Sequence, residues 1–375
     1  MSLFVDRDLE ALKAMARDVA QRELAPRSRE GDETGAFPRE SLRILFEAGF
    51  LGMMVPREWG GGGLGHLAHA LVLEEVAKVD SSLAVLMEVH NTLHLEGLLR
   101  FGREKLKEEV IPHLLKDSWG GFALTEPQAG SDAKSIRTRA KREGDTWVLE
   151  GEKAFITGAG EAAYYIVFAQ APEGITAFHV PGNAPGLSAG APLQKMGIRS
   201  AVTGSLYLDG VRIPDERRLA EPGEGLKMAL SLLDGGRVGI GAQALGLAQA
   251  ALEKSLAHAR EREQFGQKIG DFQGIRFKLA EMATEIEGAR ALVYRAAALL
   301  DQGGRHTLES SQAKLFASKV AVRACLEAIQ IHGGAGYIQD VGVERLLRDA
   351  KATEIYEGTS EIQKVIIARH LLGEA

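Results

Sequence analysis

One short segment near the end of the chain places a carboxylate beside a glycine and a helix start. Residues 355–363 read IYEGTSEIQ, and Ser360 and Gln363 have the spacing of a capping box. This predicts that the last helix begins at Ser360, with Glu357 in the turn before it. Gly358 lets a ligand approach the backbone closely, and free N–H groups at a helix start attract anions. The tethered carboxylate fits a positioned general base, but it fits equally well a solvent-exposed carboxylate that complements the helix dipole.

A second segment opens from an apolar strand into a turn-rich loop. Residues 122–132 read FALTEPQAGSD, with hydroxyls at Thr125 and Ser131 and a glycine at Gly130. These groups suit hydrogen bonds to the edge of a planar ligand. Turns of this composition are also common as plain structure, so the segment alone leaves both interpretations open.

A third segment links two long helical stretches with basic and aromatic residues. Residues 260–273 read REREQFGQKIGDFQ. The planar guanidinium of Arg262 is suited to grip a pyrophosphate. A charged loop between helices is more often simply solvated, and this second interpretation is favoured when the segment is taken by itself.

Two patterns that imitate other sites are set aside on physical grounds. Residues 239–244, GIGAQA, resemble a dinucleotide fingerprint, but they lie in a helical stretch and not after a strand, so they more plausibly ease close helix packing. His66 with His69, and His90 with His94, have spacings that place each pair on one helix face. No histidine has a glutamate three residues before it, which excludes a diiron carboxylate bundle, and we predict no metal site.

Composition restricts the partners. The chain of 375 residues has a net charge of -6 and a pI near 6.0, so neither nucleic acid nor an anionic membrane is expected as the main partner. The single cysteine, Cys325, cannot form an internal disulfide and is expected to be a buried hydrophobe in a reducing compartment. The first residues lack a secretory pattern, and no stretch is suited to span a bilayer, so a cytoplasmic protein is predicted.

The periodicity divides the chain into three parts. We predict an all-helical domain over 1–118, a β domain over 119–222 with antiparallel strands, and a bundle of four long helices over 223–375. The four helices are expected over 225–262, 271–300, 307–331 and 360–372. In the first domain, Ser81 or Ser82 is expected to cap a helix.

Six segments, taken together in this order, resemble the acyl-CoA dehydrogenase family, and the resemblance covers nearly the whole chain. The segments are FALTEPQAGSD at 122–132, KAFITGAG at 153–160, LDGGRVGIGAQALGLAQ at 233–249, REQFGQKI at 262–269, QIHGGAGY at 330–337 and RDAKATEIYEGTSEIQ at 348–363. The resemblance implies an α+β fold with an N-terminal helical domain, a middle antiparallel β domain and a C-terminal four-helix bundle. The segments look most similar to short-chain, butyryl-type relatives, and branched-chain relatives remain open.

The resemblance also implies site residues. Glu357 matches the family's catalytic base; some branches carry the base on the residue before the arginine of segment 233–249, which here is Gly236. Positions similar to those that line the flavin of FAD are Phe122, Leu124, Thr125, Gly130, Ser131, Phe155, Ile156 and Thr157. Positions similar to those that reach the FAD bound by a neighbouring subunit are Arg262, Gln264, Gln273, Gln330, Gly333 and Gly334. Thr359 and Glu361 match positions that touch this FAD from the subunit that binds it. Phe272 departs from the histidine of some relatives. Ser131, Asp234, Arg237 and Gly358 match substrate positions.

The activity implied by the resemblance is α,β-dehydrogenation of an acyl-CoA thioester, with the α-proton passing to Glu357 and the β-hydride to flavin N5. Burial beside an apolar acyl chain is expected to raise the pKa of Glu357 more than the helix start lowers it. An electron-transferring flavoprotein is the implied electron acceptor, and a dimer of dimers is the implied assembly. The alternatives are an acyl-CoA oxidase that uses oxygen and a non-catalytic helical scaffold of the same fold.

Overall fold

The computed structural model describes residues 4–374. Residues 1–3 and 375, at the outer ends of the predicted first and last domains, lie outside the described residues. Seven α-helices of the described chain precede the first strand: α1 (Arg7–Val19), α2 (Ala25–Thr34), α3 (Arg39–Glu47), α4 (His66–Ala77), α5 (Ser81–Glu88), α6 (Glu96–Phe101) and α7 (Glu104–Leu114). The connections Ala20–Leu24 and Val89–Leu95 are π-helical, so α1 continues into α2, and α5 into α6, without a break.

Helix α5 begins one residue earlier than the predicted serine caps allow. The side chain of Asp80 accepts hydrogen bonds from the backbone N–H groups of Ser82 at 2.9 Å and Leu83 at 3.1 Å. The expectation of a serine cap at Ser81 or Ser82 was therefore wrong. An aspartate at the N-cap satisfies the same free N–H groups and adds a favourable charge at the positive end of the helix.

The middle part is a twisted sheet of eight strands with the order β6-β7-β3-β2-β4-β5-β8, in which β1 also pairs with β4. The strands are β1 (Gly120–Ala123), β2 (Arg139–Glu143), β3 (Thr146–Thr157), β4 (Tyr164–Ala171), β5 (Gly174–Pro181), β6 (Leu187–Ala189), β7 (Thr203–Pro214) and β8 (Arg218–Leu219). Trp147 and Phe178 are fully buried, with ring centroids 5.3 Å apart. Large aromatic residues on facing strands therefore form the core of this part.

The prediction of purely antiparallel pairing was wrong at β4. Strand β4 pairs in parallel with β1, where Gly120 lies opposite Tyr164, and again in parallel with β2, where Arg139 lies opposite Gln170. Strands β1 and β2 thus follow one another along the same edge of β4. The chain between them, residues 124–138, projects from this edge as a loop, and it contains the Thr125 to Ser131 segment.

The last part is helical: α8 (Gly225–Glu261), α9 (Gln273–Asp301), α10 (Thr307–His332), α11 (Val343–Thr353) and α12 (Ser360–Leu371). The hairpin β9 (Glu263–Gln264) and β10 (Gln267–Lys268) joins α8 to α9. Single turns of 3₁₀ helix occur elsewhere in the chain, at Arg57–Trp59, Ala133–Ser135, Asp215–Arg217, Ile269–Asp271, Gly333–Tyr337 and Gln339–Val341. Helix α10 packs against α8, α9, α11 and α12. Among residues 4–374, no helix combines the length and the apolar character needed to cross a membrane.

Buried ion pairs join the first helical part to the last one. Glu74 of α4 accepts from Lys13 of α1 at 3.0 Å and from Arg290 of α9 at 3.1 Å, and its side chain is 1% exposed. Asp32 of α2 accepts from Arg348 of α11 at 2.9 Å. Breaking such a pair by removing one partner is costly because it leaves a buried charge without compensation. The two helical parts are therefore held in a fixed relative position around the site described next.

Candidate active site

Glu357 lies in a strained turn between α11 and α12. Its φ is 52° and that of Gly358 is 93°, so two successive residues have left-handed backbone conformations. Glycine adopts this conformation freely, but a glutamate does so only where the surroundings enforce it. Helix α12 starts at Ser360 with Thr359 as its N-cap, since the Thr359 side chain accepts from the N–H of Ile362 at 3.4 Å. The helix therefore starts at the predicted residue, but its N-cap is Thr359 and not Ser360.

Two buried side chains hold this turn in place. The amide of Gln363 donates to the carbonyl of Gly358 at 2.8 Å and to that of Glu357 at 3.4 Å, so Gln363 does not form the predicted capping box. Lys314 of α10 donates to the Gly358 carbonyl at 2.5 Å from a side chain that is 0% exposed. Burial lowers the pKa of Lys314 to about 8. These donors stabilise a backbone conformation that would otherwise be unfavourable.

The residue before Glu357 anchors the turn to two further helices. The hydroxyl of Tyr356 donates to the side-chain oxygen of Gln243 in α8 at 2.5 Å. The amide nitrogen of Gln243 donates to the hydroxyl of Ser81 at 2.7 Å and to its carbonyl at 2.9 Å. Gln243 is 0% exposed, so all of its polar atoms depend on these contacts. The turn is therefore fixed relative to both α8 and α5.

The carboxyl group of Glu357 points into the protein. Its Oε2 is enclosed and has no hydrogen-bond partner among the described residues, although other parts of the residue are accessible. A Cβ built on Gly236 of α8 would lie 2.2 Å from this oxygen, so the absence of a side chain at 236 makes room for the carboxyl. Burial raises the pKa of Glu357, opposed by the nearby positive charges of Lys314 and Arg237. The pKa of Glu357 is thus raised, which is the direction expected from the sequence.

The predicted substrate residues of α8 form a buried ion pair. Arg237 donates to Asp234 at 2.8 Å, and the hydroxyl of Thr307 donates to the other oxygen of Asp234 at 2.7 Å. The Nε of Arg237 is buried and has no hydrogen-bond partner in the described part of the chain. A buried donor of this kind is costly unless something satisfies it. Arg237 therefore has one N–H available to an acceptor that enters the site.

The two segments implied to line the flavin lie side by side. The N–H of Ala154 donates to the carbonyl of Thr125 at 2.9 Å, and Lys153 donates to the carbonyl of Leu124 at 3.1 Å. Lys153 also forms a salt bridge of 2.7 Å with Glu126, and the side chains of both are almost fully buried. Glu126 accepts further from the N–H of Thr138 at 3.0 Å. This buried pair fixes the loop after β1 against β3.

Several features of these segments fit a flat aromatic cofactor. Phe155 has a φ of 56° at an irregularity of β3, and its side chain is 66% exposed, which is unusual for a large apolar ring. Thr125 is partly exposed and Ser131 is exposed, and a Cβ at Gly130 would meet no atom of residues 4–374 within 4 Å. By contrast, Leu124 and Ile156 are only 8% and 2% exposed, so both residues lie largely in the interior.

The residues implied to reach a neighbouring subunit's FAD lie at the other end of the last helical part. Arg262, Gln264, Gln273, Gln330, Gly333 and Gly334 are all exposed at the end of α8, the start of α9 and the end of α10. The stacked rings of His258 and His332, with centroids 4.3 Å apart, join the ends of α8 and α10. Arg262 lies about 39 Å from Gly236 along α8 at 1.5 Å per residue. Within one chain these six residues therefore lie far from Glu357. Thr359 and the exposed Glu361, by contrast, are close neighbours of Glu357 in sequence.

The patterns set aside in the sequence have structural roles. Glycines 239 and 241 allow close packing: a Cβ on Gly239 would lie 2.5 Å from Cγ of Glu88, and one on Gly241 would lie 3.1 Å from Val293. His90 and His94 are fully buried and hydrogen-bonded to backbone carbonyls, and burial lowers their pKa values to about 3 and 4. The described residues hold no group of three or more potential metal ligands. Cys325 is buried and unpaired, as predicted.

Comparisons with known proteins identify the family of the chain. Sequence models of the acyl-CoA dehydrogenase N-terminal, middle and C-terminal domains match residues 6–118, 121–211 and 223–372. The chain belongs to the acyl-CoA dehydrogenase family. Members of this family are FAD-dependent oxidoreductases, and FAD is the cofactor that the residues above fit.

The family assignment extends over the full length of several relatives. A probable acyl-CoA dehydrogenase of Bacillus subtilis, YngJ, is 45% identical over 99% of this chain and 100% of its own. The mitochondrial short-chain specific acyl-CoA dehydrogenase of Rattus norvegicus is 45% identical over 96% of this chain and 89% of its own. The structure of butyryl-CoA dehydrogenase from Megasphaera elsdenii superposes with a TM-score of 0.97 at 39% identity, over 99% of this chain and 100% of that one.

Three residues of this acyl-CoA dehydrogenase site were missed by sequence reasoning. They are Glu88, Lys314 and Gln243, which contact or face the Glu357 turn from α5, α10 and α8. Glu88 is 0% exposed, and its one sequence signal was a lone acid in the otherwise uncharged run LAVLMEVHNTLHL. Lys314 and Gln243 had no distinctive signal, because isolated lysines and glutamines are usual in surface positions of helices.

Proposed function

We propose that this acyl-CoA dehydrogenase oxidises a short-chain acyl-CoA thioester to the trans-2-enoyl-CoA, with Glu357 as the base that removes the α-proton. The observation that carries the proposal is the enclosed carboxyl of Glu357, on a strained turn that Lys314 and Gln363 hold in place. A base must be positioned and desolvated to abstract so weakly acidic a proton, and this arrangement supplies both conditions.

The residues of the chain have separate tasks in this reaction. The Glu357 carboxylate accepts the α-proton as the C–H bond breaks, and its own backbone N–H donates to the thioester oxygen where negative charge develops. Arg237 and Lys314 supply positive charge near the base. Bound FAD supplies the hydride acceptor for the β-carbon. Phe155, Thr125 and Ser131 would hold the flavin, the first by packing on its ring and the two hydroxyls by donating to its polar edge.

The substrate class is supported by the relatives and by the ion pair on α8. Rat short-chain specific acyl-CoA dehydrogenase and Megasphaera butyryl-CoA dehydrogenase both match over nearly the whole chain. The free N–H of Arg237 lies in the same helix as Gly236, at the base. We place the CoA part of the substrate along Asp234 and Arg237, with the acyl chain directed towards Glu357.

The electron acceptor and assembly follow from the same proposal. An electron-transferring flavoprotein takes the electrons from the reduced enzyme, and the protein acts in the cytoplasm as a homotetramer. The distance of about 39 Å between Gly236 and Arg262 along α8 supports cofactor contacts that come from a second subunit. Gel filtration of the holoenzyme tests the assembly, and reduction of a purified electron-transferring flavoprotein tests the acceptor.

The direct test of the base is Glu357→Gln, which keeps the shape of the side chain and removes its basicity. The purified holoenzyme is mixed anaerobically with butyryl-CoA, and the loss of flavin absorbance is followed by stopped flow. We expect the rate to fall roughly a hundredfold or more. Glu354→Gln is the control, because that carboxyl pairs with Lys351 at 2.6 Å three residues before the turn. An unchanged rate in Glu357→Gln would contradict the assignment.

The substrate and the alternative activity are tested with the wild-type protein. Rates across straight, branched and dicarboxylic acyl-CoA thioesters should be highest for short straight chains. Oxygen consumption that keeps pace with turnover would indicate an acyl-CoA oxidase and not a dehydrogenase. A purified protein that remains colourless after incubation with FAD would support the scaffold alternative.

A further inference from the structure

A second buried carboxyl group faces Glu357. Glu88 ends α5, is 0% exposed, and extends towards α8. A Cβ built on Gly236 would lie 3.3 Å from Oε1 of Glu88 as well as 2.2 Å from Oε2 of Glu357, and a Cβ on Gly239 would lie 2.5 Å from Cγ of Glu88. The two glycines of α8 therefore leave room for two carboxyl groups at one place.

These two carboxyl groups lack enough donors from the rest of the protein. The hydroxyl of Thr92 donates to Oε1 of Glu88, but Oε2 of Glu88 and Oε2 of Glu357 are enclosed and have no hydrogen-bond partner within residues 4–374. Ionised carboxylates only accept hydrogen bonds, so two charged groups here would repel each other with their oxygens unsatisfied. A proton on one of the two removes the repulsion and supplies a donor to the other.

The surroundings decide which group holds the proton. Glu357 faces the positive charges of Lys314 on α10 and Arg237 on α8, which favour its ionised form. Burial raises the pKa of Glu88 well above the usual range, and the neighbouring carboxyl groups of Glu357 and Glu96 raise it further, against the hydrogen bond from Thr92, which lowers it. The partly buried Tyr356 lies beside the pair; its pKa is raised well above the usual range by desolvation and by the two carboxyl groups, so it keeps its proton and donates to Gln243.

We propose that Glu88 is a positioning residue that remains protonated at neutral pH and donates a hydrogen bond to the Glu357 carboxylate. This rests on the proposed role of Glu357 as the base. The hydrogen bond orients the carboxylate and stabilises its charged form, so the base is ready to accept a proton without being neutralised by its own burial. When the α-proton passes to Glu357, both carboxyl groups are neutral, and no further proton has to move.

The first experiment locates the proton without any turnover. Infrared difference spectra between wild type and variants are recorded on the oxidised holoenzyme at pH 8, where Asp349, whose pKa burial raises to about 6, is mostly ionised. We expect the carbonyl stretching band of a protonated carboxyl to be lost in Glu88→Gln and kept in Glu357→Gln. A band that is absent from wild type, or that is lost only in Glu357→Gln, would overturn the proposal.

The second experiment measures the pH dependence of flavin reduction by butyryl-CoA. Glu88→Leu removes the donor, so the acid limb of the profile should move up by about one pH unit or more. Glu88→Gln retains an N–H donor and should keep the limb near its wild-type position. Glu96→Gln is the control, because it removes a nearby charge that pairs with Arg100 at 2.6 Å.

The outcomes separate this proposal from the proposed function. An acid limb that stays in place in Glu88→Leu, in an enzyme that Glu357→Gln inactivates, would refute the role of Glu88 and leave that of Glu357 intact. Should Glu88→Leu fail to fold, the infrared comparison of the two glutamine variants still decides the question. A wild-type enzyme that does not reduce its flavin with any acyl-CoA would instead contradict the proposed function.

Discussion

Gly236→Ala tests the packing around Glu357. Helix propensity alone predicts a more stable protein, whereas the geometry of the site predicts a slower reaction. Alanine in a helix interior is normally more stable than glycine by about 0.5–1 kcal/mol. Here the new Cβ would lie 2.2 Å from Oε2 and 3.0 Å from Cδ of Glu357. The atoms in the way belong to the end of a side chain, so the carboxyl can rotate away while α8 stays in place. We therefore expect the free energy of unfolding to change by less than about 1 kcal/mol.

The catalytic effect should be much larger than the effect on stability. Relief of the clash requires the carboxyl to move by about 1 Å, and a misplacement of that size typically costs about a hundredfold in rate. Gly288→Ala in α9 is the matched control, because its Cβ would meet only the ring of Phe316 at 3.5 Å. That variant should keep wild-type activity and gain the usual helix stabilisation.

The assay combines anaerobic flavin reduction in a single turnover with urea denaturation of the same preparations. Wild type, Gly236→Ala and Gly288→Ala are compared at equal flavin content. A Gly236→Ala enzyme that reduces its flavin within about threefold of wild type would refute the reasoning, since a displacement of 1 Å could not then have occurred. A loss of several kcal/mol of stability would show that the helix has moved and not the side chain.

Three further predictions concern the lysines and the loop. Lys153→Met should lower the free energy of unfolding, measured by urea denaturation, by about 3–5 kcal/mol, because Glu126 would be left buried without its partner. Lys141→Met is the control: this lysine is 78% exposed, and its replacement should change the free energy of unfolding by less than about 0.5 kcal/mol. The hydrogen bonds around Glu126 lower its pKa to about 2 from 4.5, so the stability that they provide is complete above pH 4.5 and is lost as pH falls towards 2. Urea titrations over this range should show a loss of about 2 kcal/mol after allowance for screening, with a smaller loss in Lys153→Met. Lys314→Met removes a charged donor from the Gly358 carbonyl, so the rate of flavin reduction should fall about tenfold or more while the flavin content stays unchanged. A wild-type rate in this variant would show that Gln363 alone holds the turn.

Long apolar periodicities made the large elements predictable. Helices α8 and α10 begin at the predicted residues and end within one residue of the prediction, because an uninterrupted 3.6-residue period is a strong signal. Helix α11 was missed: its buried residues Val343, Leu346 and Ala350 are separated by charged residues that form ion pairs with other helices. Strand β2 was missed because its sequence, RAKRE, is mostly exposed and charged.

The position of the proposed base was predictable, but the residues that surround it were not. Glu357 and Gly358 stand next to each other in sequence, and their turn chemistry is local. Glu88 and Lys314 reach the same point from helices that lie far away along the chain, and nothing local indicates which helices will meet. The parallel pairing of β1 with β4 is likewise non-local, which explains why strand composition gave the sheet but not its order.

The contact between Gly236 and Glu357 restricts how such a site can change over generations. A side chain at 236 and the carboxyl of Glu357 would occupy the same volume, since even a single carbon at 236 would overlap Oε2. A carboxylate at 236 and the observed position of the Glu357 carboxyl therefore exclude each other, so a chain that carried acids at both positions would have to turn one of the two side chains away.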